Sequence, residues 1–189
     1  MYYVRVVIGV LFGILVFGLL DYTLPSQNTV RVSNTYNRLT EIPPSASIFW
    51  AADSSRVVEN AQGQRDVRFI DAVRPNGNVF VYRNEDTGWV WPPYFKYDSA
   101  NLQAEATNLR SDARDPIWVS VTAYGWRLAW LSTYPNAIAI NTVAGPDDRP
   151  ANWAAMIVCG VLLALLALIW RMWAQFRDRG LRNFRKGKA

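Results

Sequence analysis

The chain has 189 residues, of which 51% are hydrophobic and 19% are charged, and its formal net charge is +5. It contains no histidine and a single cysteine, Cys159. These counts exclude histidine-based acid–base catalysis, histidine ligation of a transition metal or haem, and an intramolecular disulfide. The sequence also lacks C-x-x-C, P-loop, G-x-G-x-x-G and G-x-S-x-G patterns. We therefore expect no cofactor, no metal and no nucleic-acid partner.

An uncharged apolar stretch runs from Val6 to Leu20. A helix needs about 20 residues to cross the bilayer core, and this stretch is shorter. It spans the core only if the helix also includes Tyr2 to Val4 and the side chain of Arg5 reaches the polar interface. The following Asp21 to Pro25 lacks the A-x-A cleavage pattern of a signal peptide. We predict an uncleaved signal anchor in residues 1–24, with a cleaved signal peptide as the alternative.

A second apolar stretch runs from Trp153 to Trp170 without a charge, and predicts a transmembrane helix within residues 149–173. Small residues four positions apart allow helices to approach closely in a membrane. The small residues at this spacing are candidate contacts with another helix: Gly9 and Gly13 in the first stretch, and Gly160 and Ala164 in the second.

Positive charge is concentrated after the second stretch. The segment 174–189 reads as a basic cytoplasmic tail, which places both termini in the cytoplasm and the middle of the chain in the bacterial periplasm. Basic residues next to a membrane also bind anionic lipid, so lipid is an expected partner. The residues with this topology and lipid role are Arg171, Arg177, Arg179, Arg182, Arg185, Lys186 and Lys188.

Residues 25–148 are predicted to form one periplasmic, mainly-β (α+β) domain. Asp66 to Val73 and Val79 to Tyr82 flank an Asn-Gly turn, which is a strong hairpin signal. Further strands are predicted near Thr29 to Leu39 and Ile117 to Tyr124, with mostly extended chain from Trp126 to Ile140.

One helix is predicted between these strands. Ser99 is placed to cap it, and Leu102, Ala106 and Leu109 fall on one face. Antiparallel strands with one short helix predict a small barrel or sandwich, of the size of an OB-like fold, between two transmembrane helices.

The carboxylates Asp66, Asp71, Glu85 and Asp86 are the groups that remain for catalysis, for example of glycoside hydrolysis. Arg65, Arg68, Arg74 and Arg83 are interleaved with them, which favours surface ion pairs or structural salt bridges. We therefore name no catalytic residue.

The most distinctive stretch is the aromatic and proline run Trp89-Val90-Trp91-Pro92-Pro93-Tyr94-Phe95. Large rings held by prolines suit the core of a β domain, a partner surface or glycan stacking. Trp89, Trp91, Tyr94 and Phe95 are accordingly candidate partner contacts, whereas Trp118, Trp126 and Trp130 are expected in the core.

Several blocks of the sequence resemble an uncharacterised proteobacterial family. The most specific block runs from Asn84 to Phe95, with Arg65 to Ile70, Asp98 to Ala104 and Tyr124 to Arg127 beside it. The resemblance implies an inner-membrane protein with a periplasmic domain of unknown function. It implies no activity, cofactor or catalytic residue.

Three functions fit this organisation. The first is a non-enzymatic accessory or assembly subunit of a larger inner-membrane complex, bound to other integral membrane proteins; an energy-transducing complex, respiratory or photosynthetic, is one host that we consider. The second is a periplasmic ligand-binding or sensing module. The third is an enzyme that acts on envelope glycan or lipid through the carboxylates.

Overall fold

The computed structural model describes residues 2–42, 44–50, 64–88 and 94–186. The chain forms two units, residues 1–151 and residues 152–189. The first unit contains an apolar helix and a mainly-β domain, and the second contains one long helix. The prediction of two apolar helices that flank a mainly-β domain is therefore confirmed.

Helix α1 comprises Tyr2–Thr23 and is longer than the apolar stretch that predicts it. Arg5 and the neighbouring tyrosines do not interrupt it, because a single charged or aromatic residue costs little helix propensity. The helix ends just before Pro25, because a proline disfavours the helical conformation of the residue that precedes it. By length and composition, α1 is able to cross a membrane.

The long helix of the second unit, α3, comprises Trp153–Lys186. The side-chain oxygen of Asn152 accepts a hydrogen bond from the backbone N–H of Ala155 at 3.2 Å and so caps its first turn. The helix continues past Trp170 into the basic tail. Its segment Ala155–Arg177 is long and apolar enough to span a membrane.

Five strands form the sheet of the first unit, in the order β1-β2-β3-β5-β4. β4 pairs back to β1, so the sheet closes into a barrel. β3 and β5 meet in parallel and the other pairs are antiparallel. The strands are β1 (Ser26–Glu41), β2 (Gln64–Val73), β3 (Val79–Asn84), β4 (Trp118–Tyr124) and β5 (Asn136–Thr142).

The predicted hairpin is present as β2 and β3. Gly77 in its turn has a φ of +82°, which glycine adopts without strain. The backbone N–H groups of Gly77 and Arg74 close the turn by donating to the carbonyl oxygens of Arg74 and Asn78, at 2.8 and 2.9 Å.

Helix α2, Ser99–Asn108, lies between β3 and β4 in the chain. It buries Leu102 and Ala106 against the barrel interior, as the sequence predicts. The predicted cap is wrong: Ser99 is the first helical residue, Asp98 holds the cap position, and the N–H of Ser99 donates to the carboxylate of Asp86 at 2.9 Å.

Two apolar clusters stabilise the domain. The inner cluster fills the barrel, mainly with valine, isoleucine and alanine from β1, β2, β4 and β5, and β3 contributes Tyr82. The outer cluster covers the other face of β2 with Trp50, Val67 and Phe69, and the short 3-10 helix Pro44–Phe49 contributes Ala46 to it.

The prediction of extended chain from Trp126 to Ile140 is only partly right. A short 3-10 helix, Ala129–Leu131, interrupts it, and β5 begins at Asn136. Trp118 and Trp126 are half-buried. Trp130 is not in the core, because it lies on this 3-10 helix with 79% of its surface exposed.

Candidate functional site

Helix α1 and the barrel are joined without a flexible linker. Only two residues separate the end of α1 from the start of β1. The backbone N–H of Gly125 donates to the carbonyl oxygen of Tyr22 at 3.0 Å, and the indole N–H of Trp126 donates to the carboxylate of Asp21 at 2.8 Å. The last turn of the helix is therefore held directly by the segment that follows β4.

Tyr22 is at the centre of this junction and is 5% exposed. Its ring centroid lies 5.5 Å from that of Phe49, 6.3 Å from that of Tyr124 and 5.4 Å from that of Trp126. Its hydroxyl donates to the carbonyl oxygen of Phe49 at 3.2 Å. Gly125 faces the ring with a φ of +95°, a conformation that a side chain would strain.

A buried ion pair lies against these rings. The Nη1 atom of Arg83 is 3.4 Å from the Oε2 atom of Glu85, and the side chains are 1% and 9% exposed. The guanidinium carbon of Arg83 also lies 4.9 Å from the ring centroid of Trp50. Burial alone would lower the pKa of Arg83, but the negative charge of Glu85 and the adjacent Tyr124 raise it overall. Arg83 is therefore charged in the folded protein.

The side chain of Asn136 ties the end of β3 to the start of β5. It is fully buried; its amide nitrogen donates to the carbonyl oxygen of Glu85 at 3.1 Å and to the hydroxyl of Tyr124 at 3.0 Å. Its side-chain oxygen accepts from the N–H of Glu85 at 2.9 Å. These bonds support the parallel contact of Arg83 with Asn136, where the two strands are otherwise barely paired.

Lys96 completes the buried set. Its Nζ atom donates to the side-chain oxygen of Asn84 and, at 2.6 Å, to the carbonyl oxygen of Ala137. The amide nitrogen of Asn84 donates in turn to the carbonyl oxygen of Ser99 at 2.8 Å and to the side chain of Gln103 at 2.9 Å. A neutral amine has two N–H groups, which these two acceptors match.

Burial lowers the pKa of Lys96 to about 7, although the nearby carboxylates of Asp86 and Glu85 act in the opposite direction. Lys96 therefore changes charge near neutral pH. We use the term junction cluster for the group made up of Tyr22, Arg83, Glu85, Lys96, Tyr124 and Asn136.

The folding stability should consequently rise with pH above neutrality. From about pH 7 to the ordinary lysine pKa of 10.5, the unfolded chain holds one more proton at Lys96 than the folded chain, so raising the pH favours folding by about 1.4 kcal/mol per pH unit. Urea unfolding of the detergent-solubilised chain between pH 7.5 and 9.5 measures this slope. We expect Lys96→Met to remove it, and an unchanged slope in that variant would contradict the assignment. The pH range stays below 10, the ordinary pKa of tyrosine. Burial raises the pKa of Tyr82 and Tyr124, so above pH 10 the unfolded chain loses protons that the folded chain keeps, and stability then falls as the pH rises.

The members of the junction cluster bond to one another or to residues beside them, and they join α1, β3, β4 and β5. Such an arrangement stabilises one geometry of the helix against the barrel.

The carboxylates that the sequence singles out each have a different partner. Asp66 and Asp71 lie five residues apart on β2 and so face opposite sides of the strand. Asp66 accepts from the side chain of Asn37 at 3.2 Å, and Asp71 lies beside Tyr36, with its pKa raised by burial. Asp86 holds the start of α2. Within the ranges that the structure describes, no group of three or more Cys, Asp or Glu side chains is placed to hold a metal ion.

The aromatic run is described from Tyr94 onwards, and Trp89 and Trp91 lie outside the described residues. The ring of Tyr94 stacks on that of Tyr124 with centroids 4.3 Å apart, so it extends the junction cluster. Phe95 is 45% exposed and has a φ of +51°.

The small residues of the two apolar helices are open. A Cβ added at Gly9, Gly13 or Gly160 would have no heavy atom of the described residues within 4 Å, and Ala164 is exposed. In the basic tail, Arg171 and Arg177 are exposed, and the guanidinium of Arg177 lies 5.8 Å from the ring centroid of Trp173. Of the rest of the tail, Arg179, Arg182, Arg185 and Lys186 lie on the last turns of α3, and Lys188 lies outside the described residues.

Sequence reasoning did not find the junction cluster. It placed Glu85 among candidate catalytic groups and Arg83 among interleaved arginines, and it gave Lys96 and Asn136 no role. One signal in the sequence could have indicated that Arg83 is buried. Val81 and Arg83 are two residues apart, so they lie on the same face of β3. That face becomes buried only when the segment around Trp50 packs over it.

Together, the fold and the junction cluster define a class of protein in which a five-stranded barrel is fixed to the end of one apolar helix. A second apolar helix follows the barrel in the chain. The chain matches the model of a family described as a protein of unknown function, DUF1523, over residues 1–177, and it belongs to that family. An uncharacterized protein of Haemophilus influenzae is 33% identical over 168 residues, which cover 88% of this chain and 89% of the relative. No solved structure matches the chain at a significant level.

Proposed function

We propose that this protein is a non-enzymatic accessory or assembly subunit of a larger bacterial inner-membrane complex. In this proposal α1 and α3 cross the membrane, both termini are cytoplasmic, and the barrel lies in the periplasm. The single observation that carries it is the junction: α1 is bonded to the barrel at its last turn, while its apolar length is left uncovered within its own unit.

The uncovered helix surface supports an anchoring role. Large apolar side chains such as Leu11, Phe12 and Leu15 are more than 60% exposed along α1. In water such a surface would associate strongly, so lipid or other membrane helices must cover it. The seven Lys and Arg residues after the second apolar stretch favour a cytoplasmic C-terminus.

The rigid junction supports a docking role over a tethered one. A barrel on a long flexible linker would sample many positions above the membrane, whereas two linking residues and the contacts of Tyr22 restrict it to one. A subunit that presents a fixed surface to its partners benefits from this restriction, because less conformational freedom is lost on binding.

The placement of the carboxylates supports a non-enzymatic role. Asp71 contacts a tyrosine, Glu85 pairs with Arg83, and Asp86 caps α2. Each of these three carboxylates is engaged in holding the fold.

The test is the size of the native assembly. We expect the protein, purified from its own membranes in mild detergent with a C-terminal tag, to migrate with stoichiometric partner proteins. Migration of the wild-type chain only as a free monomer would contradict the proposal.

Gly13→Leu tests whether α1 makes the partner contact. A Cβ added at Gly13 has no heavy atom of the described chain within 4 Å, so we expect the fold to be unaffected while a closely packed partner helix is displaced. We expect about tenfold less protein in the assembly, which corresponds to about 1.4 kcal/mol of lost packing. Leu11→Phe, on the opposite side of α1 and already 61% exposed, is the matched control. Equal assembly of the Gly13→Leu and control variants would show that this face makes no contact.

A further inference from the structure

A pocket of about 470 Å³ lies at the turn end of the β2–β3 hairpin. The start of β1, the hairpin turn and the chain segment that follows β5 form its walls. Its polar lining includes Gln27, Arg74, Asn76, Ser120, Asp147 and Arg149. None of these residues belongs to the junction cluster.

Three buried polar atoms adjoin this pocket. The Nε atom of Arg74, the Oγ atom of Ser120 and the side-chain oxygen of Gln27 are covered, and none has a hydrogen-bond partner within the described part of the chain. Ser120 is 1% exposed. Buried polar groups are normally paired, since leaving one unpaired costs about 1–3 kcal/mol. The described part of the chain therefore leaves one donor of Arg74 and one of Ser120 unpaired beside this pocket.

The charges of the pocket favour an anionic group. Its lining carries the guanidinium groups of Arg74 and Arg149 against the single carboxylate of Asp147. The guanidinium carbon of Arg74 is held 4.3 Å from the ring centroid of Phe80, so this cation is held in place without a ligand. Guanidinium groups match the oxygens of phosphate through paired hydrogen bonds.

The segment that carries Arg149 is fixed to the barrel. The hydroxyl of Thr29 donates to the carbonyl oxygen of Asp148 at 2.6 Å, and the N–H of Val143 donates to the carbonyl oxygen of Trp118 at 3.0 Å. We propose that this pocket binds a phosphate group, with Arg74 and Arg149 as its cationic ligands.

The phosphate could be carried by a lipid headgroup or by a soluble ester. Arg149 precedes the start of α3 by four residues, which span at most about 14 Å when extended. If α3 crosses the membrane as proposed above, Arg149 lies within reach of the headgroups. Only the choice between these two sources rests on the proposed function.

The experiment measures phosphate binding by the full chain, freed of lipid in dodecyl maltoside, which contains no phosphate. Titration calorimetry is performed with inorganic phosphate, with glycerol 3-phosphate and with mixed micelles containing phosphatidylglycerol. Micelles with diacylglycerol, which lacks the phosphate, are the lipid control. The variants are Arg149→Gln and Arg74→Gln, and Arg114→Gln on an exposed loop is the matched control.

We expect at least one phosphate-bearing ligand to bind, with Kd raised about tenfold or more by Arg149→Gln and unchanged by Arg114→Gln. Binding of phosphatidylglycerol alone identifies the ligand as a lipid headgroup. Binding of inorganic phosphate or glycerol 3-phosphate identifies it as a soluble phosphate compound. Absence of binding by all three ligands, or equal binding by Arg149→Gln and the wild type, would overturn the proposal. Arg149 is exposed, so its variant keeps the fold even if Arg74→Gln does not. Because no partner protein is present, the outcome is independent of the assembly measurement.

Discussion

Replacing Arg83 by methionine is expected to lower the free energy of unfolding by about 3–5 kcal/mol, the usual cost of removing one partner of a buried ion pair. Arg83 is 1% exposed, and its guanidinium lies between the carboxylate of Glu85 and the ring of Trp50. Methionine fills much of the volume but leaves the carboxylate in a buried position without the cation that faces it. Urea unfolding of the detergent-solubilised chain, followed by tryptophan fluorescence, measures the change.

Two further variants separate charge from packing. Glu85→Gln in the Arg83→Met background removes the uncompensated charge, so most of the lost stability should return. Arg114→Met changes an exposed arginine and should stay within about 0.5 kcal/mol of the wild type. A loss in the double variant as large as in Arg83→Met would show that packing against Trp50, and not the ion pair, carries the effect.

Replacing Tyr22 by alanine is expected to lower the free energy of unfolding by about 3 kcal/mol and to loosen helix α1 from the barrel. The change removes a ring that packs against Phe49, Tyr124 and Trp126, and it leaves a cavity beside the buried ion pair. The segment between α1 and β1 should then become accessible to a protease of broad specificity. Unfolding and limited proteolysis are measured on the same preparation.

The matched control is Tyr2→Ala, which removes a tyrosine that is 74% exposed at the other end of α1. Tyr22→Phe keeps the ring and removes the hydroxyl that donates to the carbonyl oxygen of Phe49, for which we expect a loss of about 1 kcal/mol. Protease resistance that is equal in Tyr22→Ala and Tyr2→Ala would mean that the backbone bond of Gly125 and the bond of Trp126 to Asp21 hold the junction by themselves.

Local signals in the sequence predicted the helices and most of the strands. The apolar stretches predicted α1 and α3, and the Asn-Gly turn predicted the β2–β3 hairpin with its boundaries nearly correct. These elements depend on residues close in the chain: a run of apolar side chains, or a glycine that adopts positive φ between two β-rich segments. The spacing of Leu102 and Ala106 predicted the buried face of α2 for the same reason.

Predictions from the sequence were wrong where tertiary contacts override the local pattern of residues. Trp130 was expected in the core because tryptophan is large and apolar, but the 3-10 helix that carries it turns it outward. Ser99 was expected to cap α2, but the carboxylate of Asp86, distant in the chain, bonds its N–H instead.

By itself, the sequence therefore determined the two apolar helices, the β2–β3 hairpin, helix α2 and the charge distribution, because each follows from the composition of a continuous segment. Only the tertiary structure decided that β3 meets β5 beside Arg83, that Lys96 and Asn136 are buried, and that Tyr22 fixes α1 to the barrel. Polar residues carry no sign of burial in their own segment. Their desolvation is offset by partners that barrel closure brings from distant parts of the chain, so pairing and pKa are properties of the fold.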